Sequence, residues 1–208
     1  MVRPARSLAR SRLATVYEPF LTVLRDEPVS VLEIGVREGA SLRMWRDYFP
    51  AGRIVGIDTA QQAAEHEDDR IKVIIGDQID AAVMDAAIEA VGSPVDLIVD
   101  DGGHYAYQQI RSLLYLWPHV KPGGIYVVED THTSYLRQFD MSYRNPASAI
   151  ELLKGTVDDV HASWHTHPVT LEHLDSVHFF DMACVLRKEK PLVPHTVWAG
   201  IGKKTWDF

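Results

Sequence analysis

Residues 100–104 read Asp100-Asp101-Gly102-Gly103-His104 and follow the apolar run VDLIV, and a second acidic pair, Glu129-Asp130, ends the apolar run IYVV. Carboxylate oxygens are the ligands of hard divalent cations, and an imidazole that is neutral near pH 7 can take up a proton. Two acidic clusters and a histidine therefore form a candidate metal site with a base beside it. That chemistry requires the clusters to meet. In a parallel sheet the carboxyl ends of the strands open onto one crevice, where they would. Adjacent residues on a regular strand point to opposite faces, so joint use of Glu129 and Asp130 requires the strand to end there. Gly102 and Gly103 are expected to let the chain turn sharply and bring His104 back toward the crevice. Taken alone, DDGGH reads more readily as helix-capping acids with a turn histidine; the second acidic pair after a neighbouring strand is what favours a site.

The elements that would position these residues are visible as short runs rich in Val and Ile: VSVLEIG at 29–35, RIVGID at 53–58, IKVIIGD at 71–77, VDLIVDD at 95–101 and GIYVVED at 124–130. Helix-like segments lie between most of them, an alternation that predicts a mostly parallel, doubly wound α/β sheet. Ser41 is expected to cap a helix carrying Leu42, Trp45 and Phe49. Residues 79–91 and Ala106 to Trp117 are amphipathic, and Pro122-Gly123 is expected to turn the chain into the fifth strand. A helix is also expected over about residues 5–25 and another from Pro146 to Val160. The late runs VHFFD at 177–181 and ACVLRK at 183–188 read as a strand pair or as one long strand, since only Met182 separates them.

Composition bounds the function classes. The 208 residues, 46% hydrophobic and 24% charged, suit one globular domain, with an N-terminal helical segment over 1–28, the main domain over 29–190 and a tail over 191–208. A net charge of -8 gives no reason to expect nucleic acid or an anionic membrane as partner, and Arg3, Arg6, Arg10, Arg12 and Arg25 read as an exposed helix face. No apolar run is long enough to span a bilayer and no secretory leader is evident. The single cysteine, Cys184, cannot form an intrachain disulfide, so a cytoplasmic location is expected. Trp198, Trp206 and Phe208 read as anchors of the tail. His161, His165 and His167 lack a recognised zinc spacing and read as a helix end or loop.

Three strand ends before DDGGH also carry polar groups. Glu33-Ile34-Gly35-Val36-Arg37-Glu38-Gly39 leaves the first strand and leads to Ser41, so the glycines permit a tight turn and close approach of a ligand to the backbone. Arg37 stands where a dinucleotide fingerprint has a glycine, which disfavours NAD. Asp58 ends the second strand, where an acid can accept from ribose hydroxyls, and Asp77-Gln78 ends the third, where the pair could reach an adenine amino group.

This set resembles the class I S-adenosylmethionine-dependent methyltransferases. The resemblance implies a Rossmann-like, seven-stranded sheet closed by a C-terminal antiparallel pair, with Glu33, Gly35, Gly39, Ser41, Asp58, Asp77 and Gln78 around the cofactor. EIGVREGASLRMWRDYFPAGRIVGID, GDQ, DDGGH, PGGIYVVEDTHTSY and DSVHFFD, over about residues 30–188, narrow it to the magnesium-dependent sugar O-methyltransferases of macrolide biosynthesis. By that resemblance Asp101, Glu129 and Asp130 are ligands of Mg2+, His104 is the general base, and Asp100 lies on the cofactor side. The acceptor implied is a glycoside or polyol, and the protein is expected as a homo-oligomer. Many relatives of this type carry a separate N-terminal domain, whereas about 28 residues precede the first strand here. Two rivals remain: a magnesium-dependent methyltransferase of a catechol or other small diol, and a binding protein of the same fold without turnover.

Overall fold

A computed structural model describes residues 16–189. The five Val- and Ile-rich runs form parallel strands β1 (Ser30–Ile34), β2 (Arg53–Asp58), β3 (Ile71–Ile75), β4 (Val95–Asp100) and β5 (Val120–Glu129). The late pair forms β6 (Leu174–Phe180) and β7 (Ala183–Lys188). Together they make one seven-stranded sheet in the order β3-β2-β1-β4-β5-β7-β6, with β7 antiparallel to both β5 and β6. The hairpin between β6 and β7 turns at Asp181-Met182, where Met182 adopts a left-handed φ of 66°. The late runs are therefore two strands rather than one.

Both faces of the sheet are covered, which is why its strands read as unbroken apolar runs rather than alternating ones. Side chains alternate across the sheet: Leu32, Ile98 and Tyr126 pack into one core layer with Met84, Ile88 and Leu113, while Val31, Leu97 and Val127 pack into the other with Leu42 and Trp45. The principal helices are α1 (Ala40–Tyr48), α2 (Ala81–Val91), α3 (Ala106–Leu116) and α4 (Ala149–Gly155). Asp80 starts α2 by accepting a hydrogen bond from the Ala82 N–H at 2.9 Å, and Gly92, at a φ of 81°, follows its end.

Several boundaries differ from expectation. Ser41 does not cap α1: the cap position is Gly39 at a φ of 66°, and Ser41 lies inside the helix. The chain does not enter β5 after Pro122-Gly123. The strand begins at Val120, and its pairing with β4 jumps from Val95↔Val120 to Leu97↔Ile125, so the proline and the left-handed Gly123 are absorbed as an irregularity. The helix expected from Pro146 starts after Ser148, whose Oγ accepts from the Glu151 N–H, and it is interrupted at Thr156. Of the N-terminal helix expected over residues 5–25, the described part is a single α-turn, Glu18–Leu21, followed by a 3-10 turn. The tail aromatics Trp198, Trp206 and Phe208, and four of the N-terminal arginines, lie outside the described residues.

Candidate active site at the strand order reversal

The chain runs outward from β1 to β3 and then returns to place β4 on the other side of β1, so the loops after β1 and β4 flank the point where strand order reverses. Register brings the acidic clusters together there. Ile34 pairs with Asp100, and Asp100 pairs with Val128, so the residues following each strand emerge side by side. The Asp101 N–H donates to the Ile34 carbonyl at 3.0 Å, and a Cβ on Gly35 would sit 2.2 Å from the Asp101 carbonyl oxygen. Gly35, at a φ of 94°, is thus required both for its conformation and for the close approach of the two loops.

Glu33 is 3% exposed near the end of β1, and its Oε2 has no hydrogen-bond partner among the described residues. Burial pushes its carboxyl up to about 8 against the hydrogen bond from Ser41, and the charges of Asp101 and Glu129 add to the rise. Ser41, misplaced as a cap, instead serves Glu33. Because the folded value lies above the ordinary glutamate value of 4.5, the folded chain holds a proton more tightly than the unfolded chain between those pH values, and stability falls as pH rises through that window. Thermal unfolding of the ligand-free chain at a series of pH values is expected to show this fall, with a shallower slope in Glu33→Gln.

Asp58 is committed to shaping the β1 loop. Its Oδ2 accepts from the Val36 and Arg37 N–H groups, each at 2.8 Å, and its Oδ1 accepts from Ala60 at 2.8 Å. These backbone donors hold its carboxyl below the usual range, although burial opposes them as the largest single influence. Asp77 is exposed and accepts from the Ile79 N–H at 3.1 Å, a local turn contact.

Gln78 is buried, and its amide is used on both sides. Nε2 donates to Asp100 Oδ1 at 3.3 Å and Ser112 Oγ at 2.9 Å, while Oε1 accepts from the Gly103 N–H at 2.7 Å. It therefore braces the DDGGH turn from beneath. Asp100, 1% exposed, also accepts from the Tyr126 hydroxyl and the Gly102 N–H, and burial raises its carboxyl to about 7 despite these bonds. Gln78→Leu would leave several buried polar groups without partners. A loss of about 3 kcal/mol is expected on that account, read as a midpoint drop of roughly 10 °C.

The glycines of DDGGH act by the room they leave. A Cβ on Gly102 would meet Gln78 Oε1 at 2.2 Å, and one on Gly103 would meet Gln108 Oε1 at 2.1 Å, whereas the left-handed residue of the turn is His104 itself, at a φ of 58°. Thr133, in the 3-10 turn after β5, donates its hydroxyl to the His104 carbonyl at 3.0 Å and so ties the two loops.

Asp101, His104 and Asp130 each offer a ligand atom within 4.8 Å of the others. As expected, β5 ends at Glu129; Asp130 follows it at a φ of 51°, which turns its carboxylate away from the strand pattern. His104 Nε2 lies 3.6 Å from Asp130 Oδ2, and His132 Nδ1 lies 3.8 Å from Asp130 Oδ1. Burial lowers the His104 pKa; Asp130 opposes that shift, and His132 and Arg37 add to it. Glu129 is not one of that trio. Its Oε1 accepts the hydroxyl of Tyr17, a residue 112 positions earlier. Tyr17 is 4% exposed, and burial followed by the Glu129 charge raises its phenol pKa, so it stays a donor.

Sequence reasoning gave Tyr17 no role because it falls among helically spaced apolar residues, a pattern that does not distinguish core from site. Ser112 lies on the apolar face of α3 and Tyr126 inside the apolar run of β5, where neither stands out from the core. His165 and His167 have ring centroids 5.9 Å apart but belong to no cluster of three ligand groups among the described residues. Cys184 is buried and its thiol is pushed up to about 12, which makes it inert near neutral pH.

Two features of the site fit the groups that the resemblance implies. The donor set of carboxylates beside an imidazole suits a hard divalent cation. The unpartnered Glu33 oxygen beside a loop with no room for side chains suits the ammonium end of an amino-acid-bearing cofactor.

Comparison with known proteins agrees. A family model described as a methyltransferase domain matches residues 32–131. The 8-demethyl-8-alpha-L-rhamnosyl tetracenomycin-C 2'-O-methyltransferase of Streptomyces olivaceus is 37% identical over 153 residues, covering 70% of this chain and 40% of that protein. The mycinamicin VI 2''-O-methyltransferase of Micromonospora griseorubida is 38% identical over 156 residues, covering 69% of this chain and 38% of that protein. The solved structure of MycE methyltransferase from the mycinamycin pathway, in complex with Mg, SAH and mycinamycin VI, superposes with a TM-score of 0.78 at 30% identity, over 90% of this chain and 54% of that one. The chain thus spans about 40% of the length of these two curated relatives. With its sheet order, its β1 loop and its acidic strand ends, the chain carries a Rossmann-like methyltransferase domain and resembles the antibiotic sugar O-methyltransferases, among them the MycE methyltransferase solved with Mg and SAH.

Proposed function

We propose that this chain moves a methyl group from S-adenosylmethionine to a sugar hydroxyl on a natural-product glycoside, with Mg2+ bound beside the acceptor. The observation that carries the reading is the convergence of Asp101, His104 and Asp130 next to the β1 loop. S-adenosylmethionine supplies a methyl group on a positively charged sulfur, and a bound divalent cation makes a coordinated hydroxyl more acidic.

The chain's own residues account for the rest. Gly35 and Gly39 take the left-handed conformations that the β1 loop requires, Asp58 fixes that loop's shape, and Glu33 with Ser41 offers a carboxyl to the amino-acid end. Asp77, exposed after β3, would face the far end of the cofactor, while Gln78 and Asp100, both buried, brace the turn. Asp101 and Asp130 would hold the cation, and Glu129, next to Asp130 in the chain, would join them. A sugar hydroxyl is a poor nucleophile while protonated, so a base must take its proton as the new bond forms. His104 is suited to this because burial favours its neutral form, and the imidazolium produced would face Asp130.

Aromatics follow the site residues along the chain. Tyr105 packs edge-on to Phe139 at 5.4 Å, and Tyr135 stacks on Tyr143 at 6.4 Å. Such rings offer apolar faces to a sugar or aglycone. Among the described residues no helix is long and apolar enough to cross a membrane; a reducing cytoplasm suits the unpaired Cys184, and an assembly of identical chains is part of this reading.

The test is methyl transfer from labelled S-adenosylmethionine to a panel of rhamnosyl and deoxysugar glycosides, with catechols alongside, each with and without magnesium. Magnesium-dependent labelling of a glycoside supports the proposal. Labelling of catechols alone would reassign the acceptor, and cofactor binding with no labelled product would point to a non-catalytic role.

A further inference from the structure

Resting on that reading of the site, we infer that Tyr17 is a positioning residue that fixes the carboxylate of Glu129 for the cation. Glu129 is the last residue of β5 and is clamped from two sides. The Gln109 side chain on α3 donates to its backbone carbonyl at 2.9 Å, and the Tyr17 hydroxyl donates to its Oε1. A glutamate at a strand end has several rotamers, and the hydrogen bond from Tyr17 to one carboxylate oxygen selects among them.

Tyr17 is itself well anchored. Its ring stands edge-on to Trp45 at 5.3 Å, and Val16 and Leu21, in the same buried cluster, fix the segment on either side. The N-terminal segment thus reaches across the sheet to the end of β5. A buried tyrosine hydroxyl needs a partner in any case, so the distinction lies in whether the bond serves metal binding or only the fold.

Tyr17→Phe keeps the ring and removes the hydroxyl. Calorimetric titration with Mg2+ in the presence of S-adenosylhomocysteine is expected to show affinity weakened by roughly 10-fold or more, with S-adenosylhomocysteine affinity in the absence of Mg2+ unchanged. In the double variant Tyr17→Phe, Glu129→Gln, affinity should match that of Glu129→Gln alone, because the hydroxyl acts through that carboxylate. A drop in midpoint temperature with Mg2+ affinity intact, or additive effects in the double variant, would overturn the inference. In the wild-type chain carrying 13C-labelled tyrosine, the Tyr17 ring-oxygen carbon should shift on Mg2+ addition; a resonance that does not move counts against it even if the variant fails to fold. A wild-type chain that binds S-adenosylhomocysteine but no Mg2+ would instead sink the metal reading itself, and the inference with it.

Discussion

Replacing His104 with alanine is expected to reduce methyl transfer by about 10²–10⁴-fold, the usual contribution of a positioned base, while leaving S-adenosylhomocysteine affinity intact. The two halves of this expectation rest on different contacts. The cofactor is assigned to the β1 loop, held by Asp58 and by the fit of Gly35 against Asp101, and none of those contacts uses the His104 ring. The ring faces Asp130, and burial keeps its proton affinity below the ordinary histidine value. Turnover should therefore rise with pH as the imidazole loses its proton and level off below neutrality. In His104→Ala that limb should vanish along with the rate. Steady-state rates across pH, paired with calorimetry for S-adenosylhomocysteine, check both halves. Unchanged turnover would remove the base from the scheme.

The second large effect is expected from Asp101→Ala. Removal of a carboxylate from the trio should lower turnover by about 10³-fold or more, since charge stabilisation by a bound cation is worth several kcal/mol. The residual rate should no longer respond to added magnesium. Asp101 also shares a backbone contact with Ile34, but that bond uses its N–H, so the substitution spares the junction of the two loops. Direct titration with Mg2+ separates loss of the ion from loss of the fold. A variant that still required magnesium would show that the cation sits elsewhere.

Sequence and structure agree most closely where the signal is local. The run RIVGID became β2 with the bounds expected, Arg53–Asp58, because a short apolar run ending in an acid at a loop carries its own limits. The β5 boundary was misjudged because Pro122-Gly123 is a local turn signal, and the tertiary pairing of Val120 with Val95 outweighed it. Ser41 was misjudged similarly: serine is a good cap by type, but Gly39 can take the left-handed conformation that the loop geometry imposed there. For the site, the sequence marked DDGGH and Glu129-Asp130 but assigned Gln78 to the cofactor alone. Its role as a brace depends on Ser112 and Gly103, which are separated from it by 34 and 25 residues.

By itself, then, the sequence determined the alternating strands and helices, the apolar faces of the sheet and the chemical types waiting at each strand end. These follow from periodicity and from the residue at the end of each run, which are properties of neighbours along the chain. Only the tertiary structure decided that Asp130 joins Asp101 and His104 while Glu129 turns to Tyr17, and that Asp58 and Gln78 shape the loops the ligands would meet. Those choices depend on strand register and on left-handed turns at His104 and Asp130, where a shift of a few ångströms exchanges one partner for another.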